Sequence, residues 1–359
     1  MFQRVSTTPS LCHLNFESFE FDQIVSYKEL YSYIKERLTN VQDKHYILLD
    51  EVQQVKSWEK AVNSFLVDYN VDIYITGSNA YLLSSELSTL LSGRYVEIKM
   101  QPLSFKEYLD FTGTDKEDNL QEVFNRYLRF GGLPTVVELM DNPDTISPFL
   151  EGIYNTVLMK DVIERNDVRD AALLESLLKF IGANIGNVVS TKKISDYLTS
   201  SGRKTTSDTI DNYLRMLENA FIIYRANRYD LKGKMFLKTL EKYYMVDIGI
   251  RNRLVRMANT DYGHVLENII YLELLRRGYE VRIGKIGNLE VDFVATKPDE
   301  LCYYQVSATI LDENTKKREL HPLKSIADNY PKYILTMDQT IFDDYEGIKI
   351  INIIDFLLE

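Results

Sequence analysis

Two acids close an apolar run in HYILLDE, residues 45–51, and they set the first chemical question. A carboxylate at the end of a buried strand can hold Mg²⁺, and a second acid beside it orients an attacking water. Together they make the metal-and-water half of a P-loop nucleotide site, the Walker B form. On that reading Asp50 holds Mg²⁺, partly through water, and Glu51 is the general base. A plainer reading stays open, since strands often end in acids at a solvent edge. Two neighbours favour the first. ITGSNA, residues 75–80, closes an adjacent strand with a polar turn and places Asn79 to touch a γ-phosphate or the attacking water. LSGRYVEI offers Arg94 near another strand, either as a group that neutralises transition-state charge, in cis or from a neighbouring subunit, or as one side of a surface ion pair. The other half of such a site is a Gly-rich loop whose N–H groups and Lys cradle the phosphates. The 359 residues contain no Gly-Lys followed by Ser or Thr; the Gly-Lys pairs are Gly233-Lys234 and Gly284-Lys285.

The elements that must position these groups follow from periodicity. LCHLNF (11–16) reads as a short strand, and Leu30, Tyr33, Ile34 and Leu38 set a helix over about 26–38. The unbroken run Tyr46–Leu49 predicts a strand buried on both faces. Ser57 is the expected N-cap of a helix with Trp58, Ala61, Val62, Phe65 and Leu66 inward. VDIYITGS (71–78) and VEIKM (96–100) read as further strands. Strands alternating with helices predict an α/β layer. Residues 105–169 turn helical, interrupted by Gly131, Gly132 and Pro134, with a helix at about 147–165. Residues 171–240 read as helices and then two extended segments, with Ile210, Tyr213, Leu214 and Leu217 as the buried stripe of the helix at 205–220. The remainder reads as a helix (261–277), strands at 279–283, 289–295 and 302–309, a charged helix (313–329), then KYILTM and IKIINII.

A net charge of −11 argues against a chain that coats nucleic acid with a basic surface. Two cysteines, Cys12 and Cys302, argue against a disulfide scaffold and for a reducing cytoplasm. No apolar run reaches the ~20 residues of a membrane span. The histidines His13, His45, His264 and His321 have no metal-ligand spacing.

LLDEVQQVKSWEKAVNSF, followed by YITGSNAYLLSSELSTLLSGRYVEIKMQPLSFKEY, resembles a family of bacterial and archaeal AAA-type ATPases. RFGGLP (129–134), LMKDVIERNDV and GHVLENIIYLEL…EVDFVA…YYQVS fit the same family in order, so the resemblance covers nearly the whole chain. It implies a P-loop domain, a winged helix-turn-helix and a C-terminal domain with a restriction-endonuclease-like, PD-(D/E)xK fold. The expected division is a partial ATPase core without the P-loop at 1–104, a helical lid at 105–170, a winged helix-turn-helix at 171–240 and the nuclease-like domain at 241–359. It also implies that the P-loop belongs before LCHLNF, with FQRVS as the tail of the helix after it, and that the flanking strands have unpaired edges. ATP and Mg²⁺ are the implied cofactors, with binding by these residues alone in doubt.

The resemblance also implies candidate metal ligands in the last domain: Glu267 on its first helix, Asp292 on a strand with Glu290 on the same face, and Gln305 on the next. The nuclease Lys position is Ser307, which supplies no positive charge, so an inactive site is expected, its acids keeping structural hydrogen bonds or holding a metal loosely. The winged helix would bind DNA or a partner protein, or serve as a connector that docks the ATPase on the last domain. Its helix carries Ser207, Asp208, Asp211, Asn212, Arg215 and Glu218 outward, with Arg203, Lys204, Arg225, Arg228, Lys232 and Lys234 nearby. Two function classes stay open: an ATP-driven enzyme, and a non-catalytic module that binds protein or nucleic acid. An oligomer is compatible with both.

Overall fold

The computed structural model describes residues 10–38, 43–77, 91, 94–114, 119–140, 142–157, 162–163, 166, 168–233, 235–255, 261–339 and 344–359. Two compact units divide the chain, Met1–Lys99 and Met100–Glu359. Among the described residues no helix is long and apolar enough to cross a membrane. Cys12 and Cys302 are buried free thiols.

The first unit holds a parallel sheet in the order β1 (Ser10–Asn15), β2 (His45–Asp50) and β3 (Val71–Ile75). Helices α1 (Tyr27–Lys35) and α2 (Trp58–Asp68) pack on each other, and their buried residues share one core with Leu14, Ile47 and Leu49. Ser26 and Glu29 fix the start of α1, the Ser26 N–H donating to Glu29 Oε2 at 2.9 Å. Three expectations need correction. Burial along β2 alternates, because α1 and α2 cover the Ile47/Leu49 face while Tyr46 and Leu48 stay half-buried. Ser57 is the N-cap residue of α2, but at a φ of 58°, in the left-handed region, its side chain makes no capping bond. VEIKM forms no strand: Val96, Ile98 and Met100 are 88%, 76% and 87% exposed. A strand requires a partner ladder, and among the described residues β3 pairs only with β2.

The second unit opens with α3 (Phe105–Thr112), α4 (Leu120–Phe130), α5 (Pro134–Glu138) and α6 (Pro143–Thr156). Of LMKDVIERNDV, most lies outside the described residues. Next come α7 (Ala171–Ala183), α8 (Thr191–Ser200) and α9 (Ser207–Asn219), the last burying Ile210, Tyr213, Leu214 and Leu217 as expected. The hairpin β4 (Ile223–Asp230) and β5 (Met235–Met245) leads to α10 (Ile248–Leu254) and α11 (Tyr262–Arg276). The chain then runs through β6 (Glu280–Ile286), β7 (Leu289–Lys297), β8 (Glu300–Ser307), α12 (Glu313–Lys324), β9 (Lys332–Thr336), β10 (Asp344–Tyr345), β11 (Ile348–Asn352) and α13 (Ile353–Leu358).

These strands form one mixed eight-stranded sheet, in the order β10-β11-β9-β8-β7-β6-β4-β5. The hairpin expected as the wing lies at the end of this sheet, joined by the parallel pairing of β4 with β6. The expected boundary at residue 240 falls inside β5. One sheet face shares a core with α11, α13 and the preceding helices. Leu320 and Leu323 of α12 cover the other, with Val291, Val294, Ile334 and Ile350.

Candidate functional site

Parallel pairing brings Asn15, Asp50 and the end of β3 to one end of the first sheet. Thr76, just past β3, continues the ladder by donating its N–H to the Leu49 carbonyl at 2.9 Å. That register aims its hydroxyl at Asp50, where it donates to Oδ1. The Glu51 N–H reaches the same hydroxyl oxygen at 3.3 Å. Glu51 sits in the left-handed region, φ 54° and ψ 41°, a conformation that costs a non-glycine residue about 1 kcal/mol or more. The turn carries its carboxylate to Gln53, whose Nε2 donates to Oε2.

Asp50, Glu51, Thr76 and Gln53 are thus one constellation. Thr76 was present in the sequence as part of the ITGS turn, but nothing in its spacing from Asp50 announces the contact, which depends on strand register. Arg94 is exposed and forms no ion pair among the described residues. Asn79 lies outside the described residues.

A second constellation lies in the second unit. Strand alternation puts Lys242 and Tyr244 on one face of β5. Both meet Glu267 of α11: the Lys242 Nζ lies 2.8 Å from Oε1, and the Tyr244 hydroxyl donates to the same oxygen at 2.6 Å. The same ammonium lies 2.9 Å from Glu290 and 3.7 Å from Asp292, both on β7. Asp292 Oδ2 accepts from the Val306 N–H at 2.9 Å. Asn268, next to Glu267, clamps β5 by accepting from the Met245 N–H and donating to the Met245 carbonyl.

The expected metal ligands therefore come together, but the donor set does not fit a divalent ion. The ammonium of Lys242 already stands among the acids. Gln305 spends its amide, accepting from the Asp292 N–H at 3.3 Å and donating to Glu319 at 2.8 Å. Ser307 donates to the Thr309 carbonyl. Among the described residues no group of three His, Cys, Asp or Glu is placed to hold a metal. Lys242 was missed in the sequence because nothing in its local spacing points to Glu267, Glu290 or Asp292, which it meets only through the tertiary fold.

Charge balance sets the protonation. Burial alone would lower the Lys242 pKa, but Glu267, Asp292 and Glu290 raise it. Burial opposes ionisation of Glu267 too, yet Lys242 and the hydrogen bonds hold it below the usual range. Asp292 goes the other way: burial and the Glu267 charge push it well above. A raised aspartate pKa means the folded chain binds more protons, so this contribution to stability falls as pH rises from the usual aspartate range through the raised value. We expect the unfolding free energy of wild type minus that of Asp292→Asn, read by denaturant titration, to decline across that window, by up to about 1.4 kcal/mol per pH unit. A pH-independent difference would contradict the assignment.

The basic residues expected near the wing divide. Arg225 is consumed by Glu218 at 2.5 Å, Glu241 at 3.5 Å and Asp211 at 3.6 Å, and Arg228 is buried. Arg203, Lys204 and Lys232 are exposed, and Lys234 lies outside the described residues.

Residues 1–109 match the family described as "AAA domain", and residues 121–261 match a second, "Domain of unknown function (DUF8612)". An uncharacterized protein of Haemophilus influenzae is 43% identical over 360 residues, 99% of this chain and 88% of that protein. The chain belongs to one family with that protein, and its first 109 residues match an AAA domain. In this family the uncharacterized protein MJ1544 of Methanocaldococcus jannaschii is 30% identical over 324 residues, covering 86% of this chain and 70% of that one. The Walker-type ATPase PABY2304 of Pyrococcus abyssi has a TM-score of 0.46 at 16% identity, covering 68% of this chain and 84% of its own. Asp50, Glu51 and Thr76 all lie within the segment matched to the AAA domain.

Proposed function

We propose that the first unit is the Mg²⁺ and water side of an ATPase site, with Asp50 holding the metal, Thr76 orienting Asp50 and Glu51 activating water. The observation that carries this reading is the Thr76–Asp50–Glu51 constellation at the end of a central parallel strand inside an AAA-domain segment. Bound Mg²⁺ would neutralise the phosphates and the charge that develops on them. Asn79 and Arg94 are the proposed companions, Arg94 acting across a subunit boundary where the protein is oligomeric. No phosphate cradle with a Gly-Lys-Ser/Thr motif occurs in the 359 residues, so an isolated Asp50 holds Mg-ATP weakly.

Calorimetric titration tests both halves. The 359-residue chain shows no saturable MgATP binding. Supplying a strand and a Gly-rich loop ending in Gly-Lys-Thr ahead of residue 1 creates binding, and hydrolysis that Glu51→Gln abolishes. Micromolar binding by the unaltered chain refutes the first statement, and undiminished hydrolysis by the Glu51→Gln fusion refutes the second.

For the second unit, we read the segment α7–β5 as a winged helix-turn-helix fused to a restriction-endonuclease-like sheet, docking a partner protein rather than gripping DNA. The three-layer sheet and the acids at Glu267 and Asp292 support the ancestry. The exposed Asp208 on α9 and the internal pairing of Arg225 disfavour a phosphate-binding face. Plasmid DNA incubated with the protein and Mn²⁺ is expected to stay intact; cleavage lost on Asp292→Ala would reverse that reading.

A further inference from the structure

A lysine ammonium removed from water costs several kcal/mol unless carboxylates surround it. The Lys242 side chain is 3% exposed and meets that condition chiefly through Glu267 and Glu290, whose oxygens lie 2.8 and 2.9 Å from its nitrogen, with an Asp292 oxygen at 3.7 Å. The three acids come from two elements far apart in sequence, α11 and β7, and converge on one point. Such convergence serves a cation. Glu267 accepts further bonds from Tyr244, and Asp292 from the Val306 N–H, so the carboxylates are held in place from behind. His264 faces the second Glu267 oxygen at 3.7 Å, and Gln305 and Glu319 line the far side, already bonded to each other.

We propose that Lys242 is the resident cation of this cluster: its ammonium ion occupies the point on which the three acid side chains converge, keeps divalent metal out, and ties β5 to α11 and β7. The proposal rests on the geometry of the cluster and stands whether or not the domain descends from nucleases. The protein is then a metal-independent form of an acid cluster, with a divalent site latent beneath one side chain.

Two measurements on the intact chain decide it, with Mn²⁺ as the titrant. Wild type shows no saturable Mn²⁺ binding by electron paramagnetic resonance and no change in melting temperature with Mn²⁺. Lys242→Ala melts lower by on the order of 10 °C in a chelator, and millimolar Mn²⁺ restores part of that loss, because an ion now takes the place of the ammonium. Saturable Mn²⁺ binding by wild type that Asp292→Asn removes would overturn the proposal, as would a Lys242→Ala protein that gains nothing from Mn²⁺. Where Lys242→Ala does not fold, a second comparison carries the decision. The double variant K242M/E267Q melts above K242M, since it leaves no buried carboxylate without its cation. A double variant that melts at or below K242M overturns the proposal.

Discussion

Gly249→Ala lowers the melting temperature of the second unit by about 6–12 °C, the response to a loss of about 3 kcal/mol in a unit of this size. A Cβ at Gly249 would stand 2.0 Å from the Phe130 carbonyl oxygen, a backbone atom that cannot swing aside. The contact is close because the RFGGLP loop docks on the first turn of α10. Gly131 leaves α4 at φ 81°, and the Gly132 N–H donates to Asp247 Oδ2 at 2.8 Å while the other Asp247 oxygen caps Ile250. The Gly132 carbonyl then accepts from the Leu103 N–H at 2.7 Å. Methyl groups at Gly131 or Gly132 would meet Asp247 Oδ1 at 2.3 Å and the Leu103 carbonyl at 2.4 Å, so the motif's two glycines and Gly249 serve one joint. Gly263 is the control: it lies in α11 with nothing within 4 Å of its missing Cβ. Gly263→Ala should raise stability by about 0.5–1 kcal/mol. A calorimetric scan in which Gly249→Ala shifts the melting temperature by less than about 2 °C would dismiss the joint.

Asn268→Leu is the second large effect, about 3–5 kcal/mol. Asn268 is fully buried, and its amide does for Met245 what a neighbouring strand would do, accepting from its N–H at 2.8 Å and donating to its carbonyl at 2.9 Å. β5 is the last strand of the sheet, and this one side chain satisfies a stretch of its open edge. Leucine keeps the volume and orphans both backbone groups. Hydrogen exchange at the Met245 amide reads the effect directly: protection should fall by at least tenfold, and unchanged protection would show that another partner holds the edge.

Much of this architecture was legible along the chain where neighbours in sequence are neighbours in space. The stripe Ile210, Tyr213, Leu214 and Leu217, the strand running into Asp50, and the helix–strand order after residue 261 all follow from local periodicity. What was hidden depends on register and pairing. The contact between Thr76 and Asp50 exists because β2 and β3 run in parallel at one particular offset. Lys242 meets Glu267 and Asp292 because β4 pairs with β6, more than fifty positions on, and no periodicity reports that. The half-buried face of β2 and the unpaired VEIKM reflect layers supplied or withheld by the tertiary fold. Their own residues are good strand formers.

The junction of β4 with β6 also has a mechanical meaning. Arg228, Tyr229 and Asp230 pair with Ile283, Gly284 and Lys285, and there the ladder between the two strands ends. That short seam joins the hairpin to the rest of the sheet, while the Asn268 clamp and the ammonium of Lys242 tie the hairpin's other strand to α11. Forced-unfolding experiments should show a lower rupture force for Asn268→Leu than for wild type, and equal forces would show that the hairpin is held elsewhere.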